Sequence, residues 1–320
     1  MDAAAIVRSM AARRLRHDIV TTTSPAPIGV IAHYNLLERL EASGPGDLFR
    51  ARDTKLGRTV AVRLLPEDFT ADRQGLIATA RGLSALSHPN VTALFDVGEH
   101  DRRVYLAFEF QKGQSLRAES AGRPMNVRRA VEIAIQIADA VADAHAHGFG
   151  HGGLSPDSVV VSAKGRAKIP AFELASQSGF DKNGNDGRLI DYGAPEEARG
   201  EPPDDRSDVY SVGAILYETL TTRRPMHRGA SAPSASNPKV PKELDEIVLK
   251  ALSPNADSRF QSAVACAGAL RGSIAVLDAL GVAGEEEELV ETQSTSMGRV
   301  ALMAGGMLVV VAALAWWLLQ

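Results

Sequence analysis

Short apolar runs separated by polar turns dominate the first third of the chain. Runs of this kind, rich in valine, leucine and aromatic residues, are typical of β-strands. Four segments are predicted to be strands: 34–37, 47–51, 59–65 and 104–108. One stretch of helical composition, Gln74–Leu86, interrupts them and ends before Pro89, a residue that breaks helices. The pattern predicts a small strand-rich region that contains one helix.

The hydrophobic period changes after Gly113. Two sets of apolar residues recur at helical spacing and occupy two faces of one helix: Val131, Ile135, Ala138 and Ala142, and Ile133, Ile137 and Val141. A helix that is apolar on two faces is usually buried. Helical patterns continue at 209–220 and 244–252. A small strand-rich lobe followed by a larger helical lobe predicts an α+β fold.

The C-terminal run 300–319 contains no charged residue. About 20 apolar residues in a helix cross the hydrocarbon layer of a bilayer. Trp316 and Trp317 lie near the end of the run, where indole rings favour the membrane interface. We therefore predict a single C-terminal transmembrane helix at 299–320 that anchors the chain. A buried helix of a soluble domain is the alternative interpretation.

Both flanks of the central region are polar. Residues 276–298 contain the acidic row Glu285–Glu288 and are predicted to form an acidic juxtamembrane linker. Residues 1–32 carry arginines among alanines but have no apolar core long enough for a signal peptide. They are predicted to be a flexible N-terminal segment, with an amphipathic membrane-surface helix as the alternative. Without an export signal, the central domain is predicted to be cytoplasmic, on a single-pass protein of the cell membrane.

Composition narrows the class of protein further. The 320 residues are 45% hydrophobic, enough for one large two-lobed core or two smaller cores. The net charge of −4 argues against a nucleic-acid partner, which would require a basic surface. Cys266 is the single cysteine, so no disulfide forms within the chain and a reducing compartment is expected.

Four segments carry a recognisable framework: 83–91, 194–196, 206–213 and 257–260. Together they resemble bacterial serine/threonine protein kinases, and the resemblance extends from about Tyr34 to Leu270. It implies a two-lobed protein-kinase-like fold over 33–275, with an N-lobe at about 33–112 and a C-lobe at about 113–275. It also implies structural roles for five residues. Glu196 pairs with Arg259, Asp208 holds the catalytic loop from the central helix, His151 packs beneath the site, and Phe172 occupies the place of the D-F-G phenylalanine.

The positions that carry chemistry in this family are changed. The loop 151–158 matches the pattern H-R-D-L-x-x-x-N, with glycine at 152 and 153 in place of the Arg and Asp. Six degenerate positions follow from the resemblance: Arg63 for the strand lysine, Thr79 for its glutamate partner, Gly153 for the catalytic aspartate, Ser155 for the loop lysine, Ser158 for the metal-binding asparagine and Ala171 for the metal-binding aspartate. The Gly-rich loop also loses two of three glycines, to Glu41 and Ser43.

Each change removes a different requirement of phosphoryl transfer, which needs metal ions, a cation on the phosphates and a carboxylate for the hydroxyl proton. Gly153 has no side chain to accept a proton, and Ala171 offers no metal ligand. The planar fork of Arg63 fits poorly where an ammonium makes a point contact. The sequence therefore predicts a pseudokinase with no catalytic residue and no metal site, which is not an enzyme. The histidines at 145, 147 and 151 are not read as a zinc site, because no cysteine or carboxylate has suitable spacing.

The resemblance also places the walls of a nucleotide pocket. Five residues match them: Leu48, Ala61, Glu109, Gln111 and Val160. Such residues pack a core whether or not nucleotide binds. Apolar walls without phosphate contacts bind a purine poorly. No cofactor is therefore predicted, beyond weak binding of ATP without a metal.

Two further departures concern regulation and substrate. In the family, the loop arginine clasps a phosphorylated activation segment, and Gly152 removes it. Leu189 and Ile190 replace the Thr-Pro pair of a substrate-facing segment. The residues 229–241 are short and rich in Ser, Ala and Pro, so a docking helix of the family is predicted to be deleted or shrunken.

The sequence leads to a membrane-anchored pseudokinase that acts as a scaffold or allosteric regulator in Ser/Thr kinase-type signalling. Its partner is predicted to be a protein, either an active kinase or another membrane signalling protein. A weakly active or atypical Ser/Thr protein kinase, or another ATP-using transferase, is the alternative; it would use Arg63 and acids such as Asp157. A decaying paralogue without activity is a third interpretation.

Overall fold

The computed structural model of the chain describes residues 27–40, 46–67, 73–170, 192–226, 229–279 and 281. These residues fall into two compact units. The first contains the residues up to Phe69 together with Phe95–Phe110, and the second contains Thr70–Leu94 and the residues from Gln111 onward. The helix of the strand-rich region therefore groups with the second unit, although the predicted N-lobe of 33–112 included it.

The first unit is built on a six-stranded sheet with the order β1-β2-β3-β4-β6-β5. Its strands are β1 (Gly29–Ile31), β2 (Tyr34–Leu40), β3 (Asp47–Asp53), β4 (Arg58–Leu64), β5 (Leu94–His100) and β6 (Arg103–Glu109). Alternation along β4 places Val60 and Val62 on the buried face of the sheet, beside Leu36 and Ala51. All four predicted strands are confirmed.

Two strands of this sheet were not predicted. β1 lies inside the predicted flexible segment 1–32 and pairs in antiparallel register with β2, Val30 opposite Asn35. Ala32 in the connecting turn has a φ of 50°, a left-handed conformation that tight turns use. A strand of three residues gives too short a pattern to be read from sequence. β5 is short of apolar residues and its alternation is weak, which explains why it was missed.

The backbone at Gly46, in the first unit, lies very close to the backbone at Leu64. Its φ is +72°, and a Cβ at this position would lie 2.0 Å from the carbonyl oxygen of Leu64. Only glycine fits such a site. Gly46, the one motif glycine that the Gly-rich loop keeps, is therefore required by the backbone beside Leu64, whatever the loop binds.

The second unit is mainly helical. Its helices are α1 (Arg73–Leu83), α2 (Leu116–Ser120), α3 (Val127–Ala146), α4 (Pro195–Ala198), α5 (Asp205–Thr221), α6 (Lys242–Ala251) and α7 (Ala263–Ala279). Single 3₁₀ turns occur at Pro233–Ala235 and Ala256–Ser258. A small antiparallel sheet joins β7 (Gln114–Ser115), β8 (Val160–Val161) and β9 (Ala167–Lys168). The α+β prediction is confirmed.

α3 and α5 form the core of this unit. Ile133, Ile137 and Val141 of α3 are buried, as the two-faced apolar pattern predicts. The side chain of Asp204 accepts a hydrogen bond from the backbone N–H of Arg206 and so caps α5. Almost every residue from Ser207 to Leu220 is buried, which makes α5 the central helix.

α7 lies antiparallel to α3, since Arg271 pairs with Asp139 and Arg128 pairs with Asp278. The helix continues to Ala279, past the predicted domain end at 275. No helix in the described ranges has the length and apolar character needed to cross a bilayer. The predicted transmembrane helix 299–320 lies outside the described residues.

The region of the predicted missing helix, 229–241, contains one 3₁₀ turn and no α-helix. Ser234 connects this turn to α6. Its backbone N–H donates to the Asp245 carboxylate at 2.8 Å, and its hydroxyl donates to the same carboxylate at 2.5 Å. The turn is therefore fixed to α6 by a buried carboxylate.

Candidate functional site

The loop 151–158 is anchored at its start by Asp208 of the central helix α5. One carboxylate oxygen of Asp208 accepts the backbone N–H of His151 at 2.7 Å, and the other accepts that of Gly152 at 3.2 Å. The Nε2 atom of His145, in α3, lies 2.8 Å from the first oxygen. Asp208 thus holds the loop backbone at His151 and Gly152, the role that the resemblance implied for it. His145 contacts the same carboxylate, a role that the sequence analysis did not predict.

The charges at this anchor are buried. Burial alone would raise the pKa of Asp208, but the hydrogen bond from His145 and the contacts with His151 hold it below its ordinary value. Burial lowers the pKa of His151, against the attraction of Asp208 and a hydrogen bond to the carbonyl of Pro170. At neutral pH, Asp208 is therefore an anion and His151 is neutral.

The middle of the loop offers few reactive groups. Gly152 has a φ of +63°, a conformation that favours glycine over arginine. Gly153 has no side chain. The hydroxyl of Ser158 accepts the N–H of Ser155 at 3.0 Å and donates to the Ser155 carbonyl at 2.8 Å. Ser158 closes the turn with its hydroxyl, which leaves that group poorly suited to bind a metal ion.

The second half of the loop is held by Arg117 of α2. Its Nε donates to Asp157 at 2.8 Å, its Nη1 to Glu218 of α5 at 2.8 Å, and its Nη2 to the hydroxyl of Tyr192 at 2.7 Å. The hydroxyl of Tyr192 also donates to Glu218. Tyr192 is fully buried, and burial together with the Glu218 hydrogen bond raises its pKa to about 12. It is therefore a neutral donor at any physiological pH.

Sequence reasoning missed this polar cluster of Arg117, Asp157, Tyr192 and Glu218. It named only Asp157, as an acid for a possible transferase. In the structure the Asp157 carboxylate accepts a hydrogen bond from the guanidinium of Arg117 and so takes part in a structural contact. No sequence motif joins the four residues, so the sequence alone carried no signal for them.

The predicted architectural pair is in contact. Arg259 is fully buried and binds both carboxylate oxygens of Glu196, at 2.6 and 2.7 Å. The hydroxyl of Ser207 donates to the same carboxylate at 2.8 Å. Burial opposes ionisation of Glu196, but these hydrogen bonds hold its pKa below the ordinary value. The pair fixes α4 to the start of α5 and to the segment after α6.

The remaining predicted site residues lie in separate parts of the chain. Arg63 lies in β4, opposite Leu48 of β3 and Leu106 of β6, and burial lowers its pKa to about 10. Thr79 is half-buried in α1. The predicted pocket residues are half-buried, three in the first unit (Leu48, Ala61 and Glu109) and two in the second (Gln111 and Val160). Their role in binding nucleotide stays a prediction. Ala171 and Phe172 lie outside the described residues.

The residues at the family's metal positions do not fit a divalent cation. Ser158 uses its hydroxyl within the loop, and alanine at 171 has no ligand atom. Among the described residues, no cluster of three or more His, Cys, Asp and Glu side chains is arranged to hold a metal. Hard cations such as Mg²⁺ need oxygen ligands, and the one carboxylate of this loop, Asp157, is bound to Arg117.

Comparisons with known proteins identify relatives for most of the chain. A family model described as "Protein kinase domain" matches residues 34–265. The chain is 32% identical over 256 residues to a probable serine/threonine-protein kinase of Streptomyces coelicolor, a match that covers 72% of this chain and 38% of that protein. It is 32% identical over 257 residues to the serine/threonine-protein kinase PknB of Mycobacterium tuberculosis, covering 72% and 41%. The match spans about two fifths of the length of these relatives.

A solved structure shows the same fold. The kinase domain of Mycobacterium tuberculosis PknI matches with a TM-score of 0.64 and 24% sequence identity. The match covers 76% of this chain and 97% of that one. The chain therefore has the protein-kinase fold, with a β-rich N-lobe and a helical C-lobe.

The comparisons contradict one prediction made from the sequence. The changed loop residues led to the conclusion that the chain is not an enzyme. The matching family model is that of the protein kinase domain, and the similar proteins are named serine/threonine-protein kinases. The conclusion was wrong because it weighed side chains at six positions and ignored how much of phosphoryl transfer depends on positioning by the fold.

Proposed function

Because the chain belongs to the protein kinase family, we propose that it is an atypical Ser/Thr protein kinase or a related ATP-using transferase of low turnover. The observation that carries the proposal is the anchoring of the loop 151–158. Asp208 binds the backbone of His151 and Gly152 and needs neither of the side chains that the loop has lost. The scaffold that positions reacting groups is therefore kept.

The chemistry of phosphoryl transfer supports a slow reaction without the usual side chains. Its transition state is loose, so catalysis depends mainly on positioning and electrostatic stabilisation. Loss of a general base such as the one missing at Gly153 typically costs about 10²–10⁴ in rate. That loss slows transfer strongly but does not abolish it.

Arg63 is the residue we assign to the phosphates of the nucleotide. It is a half-buried cation in β4. Because the loop lacks metal ligands, ATP is proposed to bind weakly and without a resident metal ion. The guanidinium would supply part of the positive charge that metal ions usually provide.

A single-turnover measurement with γ-labelled ATP and a generic hydroxyl acceptor such as myelin basic protein tests the proposal. The full chain should transfer label slowly, and Gly153→Asp should raise the rate about 10²-fold or more, because a carboxylate is restored. Gly268→Asp, on the open surface of α7, is the matched control for added charge.

Arg63 provides a second arm of the same experiment. Arg63→Ala should remove transfer, whereas Arg63→Lys keeps the cation and should retain part of it. Label transfer that stays at the level of buffer in the wild type and in Gly153→Asp would refute the transferase proposal. Equal rates for wild type and Arg63→Ala would refute the assignment of Arg63.

Regulation of a protein partner is the second candidate function, and a slow transferase can combine it with turnover. The observation that favours it is the use of Ser158 and Asp157 in structural contacts in place of reactive ones. We propose that the partner is an active kinase or another membrane signalling protein, with no role for nucleic acid. The apolar run 300–319 supports a proposed location at the cell membrane, with the kinase-like domain in the cytoplasm. Proximity labelling in cells, with and without residues 299–320, tests both points.

A further inference from the structure

Arg117 connects three parts of the helical unit that are far apart in sequence. Its partners Asp157, Tyr192 and Glu218 are separated from it by 40, 75 and 101 residues. They belong to the loop 151–158, to the segment before α4 and to α5. A guanidinium has five N–H donors in a fixed plane, which suits it to bridge several acceptors at once.

The backbone of the same helix holds the same stretch of loop. The N–H of Leu116 donates to the carbonyl of Val159 at 2.8 Å, and the N–H of Arg117 donates to that of Pro156 at 3.2 Å. Ser115 caps α2 by accepting the N–H of Ala118. The first turn of α2 therefore grips residues 156–159 by backbone and side chain together.

The loop is thus tied at two places. Asp208 binds the backbone of residues 151 and 152, and Arg117 binds residues 156 and 157. Gly153 lies between the two attachments and contributes no side chain of its own. Its position depends on both ends being fixed.

The charges at the second attachment make Arg117 hard to replace. Two carboxylates, Asp157 and Glu218, share one guanidinium, and Glu218 also accepts a hydrogen bond from the hydroxyl of the buried Tyr192. The side chains of these acids are only 16% and 17% exposed. Without Arg117, two poorly solvated like charges would face each other and push the loop away from α5.

We propose that Arg117 is the positioning residue of the loop 151–158: its guanidinium, by bridging Asp157 to Tyr192 and Glu218, fixes the geometry at Gly153. The proposal deepens the transferase function and rests on it, since the loop is where transfer is proposed to occur. Arg117 itself does not touch the reacting groups. A loop that has lost its own arginine and aspartate is held in place from a neighbouring helix.

Hydrogen–deuterium exchange of the full chain tests the proposal whether or not transfer is detected. Arg117→Ala should raise the exchange of the amides of residues 155–159 by about tenfold or more, because the loop opens locally. Arg117→Lys keeps one positive charge but cannot bridge three acceptors. Its loop amides should therefore exchange at a rate between those of the wild type and Arg117→Ala. Arg271→Ala removes a surface arginine that pairs with Asp139, and it should leave loop exchange unchanged.

Chemical rescue tests whether Arg117 acts as a cation that bridges its partners or only as a side chain that fills space. Ethylguanidinium added to Arg117→Ala should lower the loop exchange again, and it should have no such effect on wild type or Arg271→Ala. If the wild type transfers phosphoryl groups, Arg117→Ala should lower kcat with little change in the KM for ATP, and ethylguanidinium should restore part of kcat.

Two outcomes would overturn the proposal. One is unchanged loop exchange in both Arg117 variants while the chain remains folded. The other is an equal rise of exchange throughout the helical unit that ethylguanidinium does not reverse, which would mean general destabilisation. If Arg117→Ala does not fold, Arg117→Lys decides by the same measurements. Absence of transfer in both the wild type and Gly153→Asp would refute the proposed function, while the exchange and rescue results would still decide the role of Arg117.

Discussion

Arg259 binds both carboxylate oxygens of Glu196, at 2.6 and 2.7 Å, with its own side chain completely removed from solvent. Its remaining N–H groups donate to the backbone carbonyls of Ser253, Arg206 and Pro254. The ring of Tyr210 lies 5.0 Å from the guanidinium carbon. A buried charge is tolerated here because every side of the guanidinium has a partner.

Breaking this pair from one side should be costly. Glu196→Gln or Arg259→Met leaves a buried charge without its counter-charge, which typically costs about 3–5 kcal/mol of unfolding free energy. Urea unfolding followed by circular dichroism measures the loss. Arg271→Ala, which removes the exposed pair with Asp139, should cost about 1 kcal/mol or less. A loss for Glu196→Gln no greater than for Arg271→Ala would contradict the structural role of the pair.

Acid should destabilise the fold in two stages. The pKa of His151 is lowered by burial, so the unfolded chain takes up this proton first and stability falls below about pH 6.5. The pKa values of Asp208 and Glu196 are also lowered, so the unfolded chain again binds more protons below about pH 4.5. Urea unfolding at pH 7, 6, 5 and 4 measures both stages.

A substitution of His151 tests whether this residue causes the loss of stability below about pH 6.5. His151→Phe should flatten the pH dependence between about 6.5 and 5 and leave the lower stage unchanged. A wild-type stability that stays constant from pH 7 to 5 would contradict the burial of a neutral histidine. If the stability of His151→Phe depends on pH between about 6.5 and 5 as strongly as that of the wild type, another group causes this loss of stability.

Gly46→Ala should strongly destabilise the first unit. The new Cβ would lie 2.0 Å from the Leu64 carbonyl oxygen, and no side-chain rotation relieves a clash with backbone. We expect a loss of at least about 2 kcal/mol, measured by thermal or urea unfolding. Gly57→Ala is the control, because its φ is also positive but its Cβ would meet only Arg52 at 3.7 Å. Gly57→Ala should lose only about 1–2 kcal/mol of unfolding free energy, the cost of placing an alanine in the left-handed conformation. Equal losses in the two variants would show that the clash with Leu64 does not matter.

Gly82→Ala tests the contact between α1 and Phe149, which lies two residues before the loop 151–158. A Cβ there would lie 2.8 Å from the end of the Phe149 ring. We expect a net loss of about 1–3 kcal/mol, and Phe149→Leu in the same chain should reverse part of it. Gly268→Ala in α7 meets no atom within 4 Å and should stabilise by up to about 1 kcal/mol. Stabilisation by both alanines in unfolding experiments would mean that α1 does not pack closely on Phe149.

The sequence predicted the parts of this chain that have strong local signals. The alternation along 59–65 and the two-faced period of 131–142 became β4 and α3 because each pattern lies within one element. Motif resemblance also led to the pair of Glu196 with Arg259 and to the contact of Asp208 with the backbone of His151, although the residues of each contact are distant in sequence.

Other contacts had no local signal. The partners of Arg117 come from three separate segments, and nothing in the neighbourhood of any one of them requires the others. The hydroxyl bonds of Ser158 to Ser155 depend on loop conformation. The mistaken conclusion that the chain is not an enzyme has a similar origin. Residue identities show which side chains are lost, but the positioning of the loop depends on backbone contacts that have no local signal in the sequence.

The two ion pairs that join α7 to α3 give the domain a defined response to mechanical load. Tension applied through the chain beyond Ala279 would reach Asp278 first, where the pair with Arg128 lies in the last turn of α7. It would reach the pair of Arg271 with Asp139 only after that turn had peeled away. α3 ends at Ala146, five residues before the loop begins at His151. A pull on the C-terminal end of the domain is therefore borne first by the N-terminal turn of α3, at the opposite end of that helix from the loop.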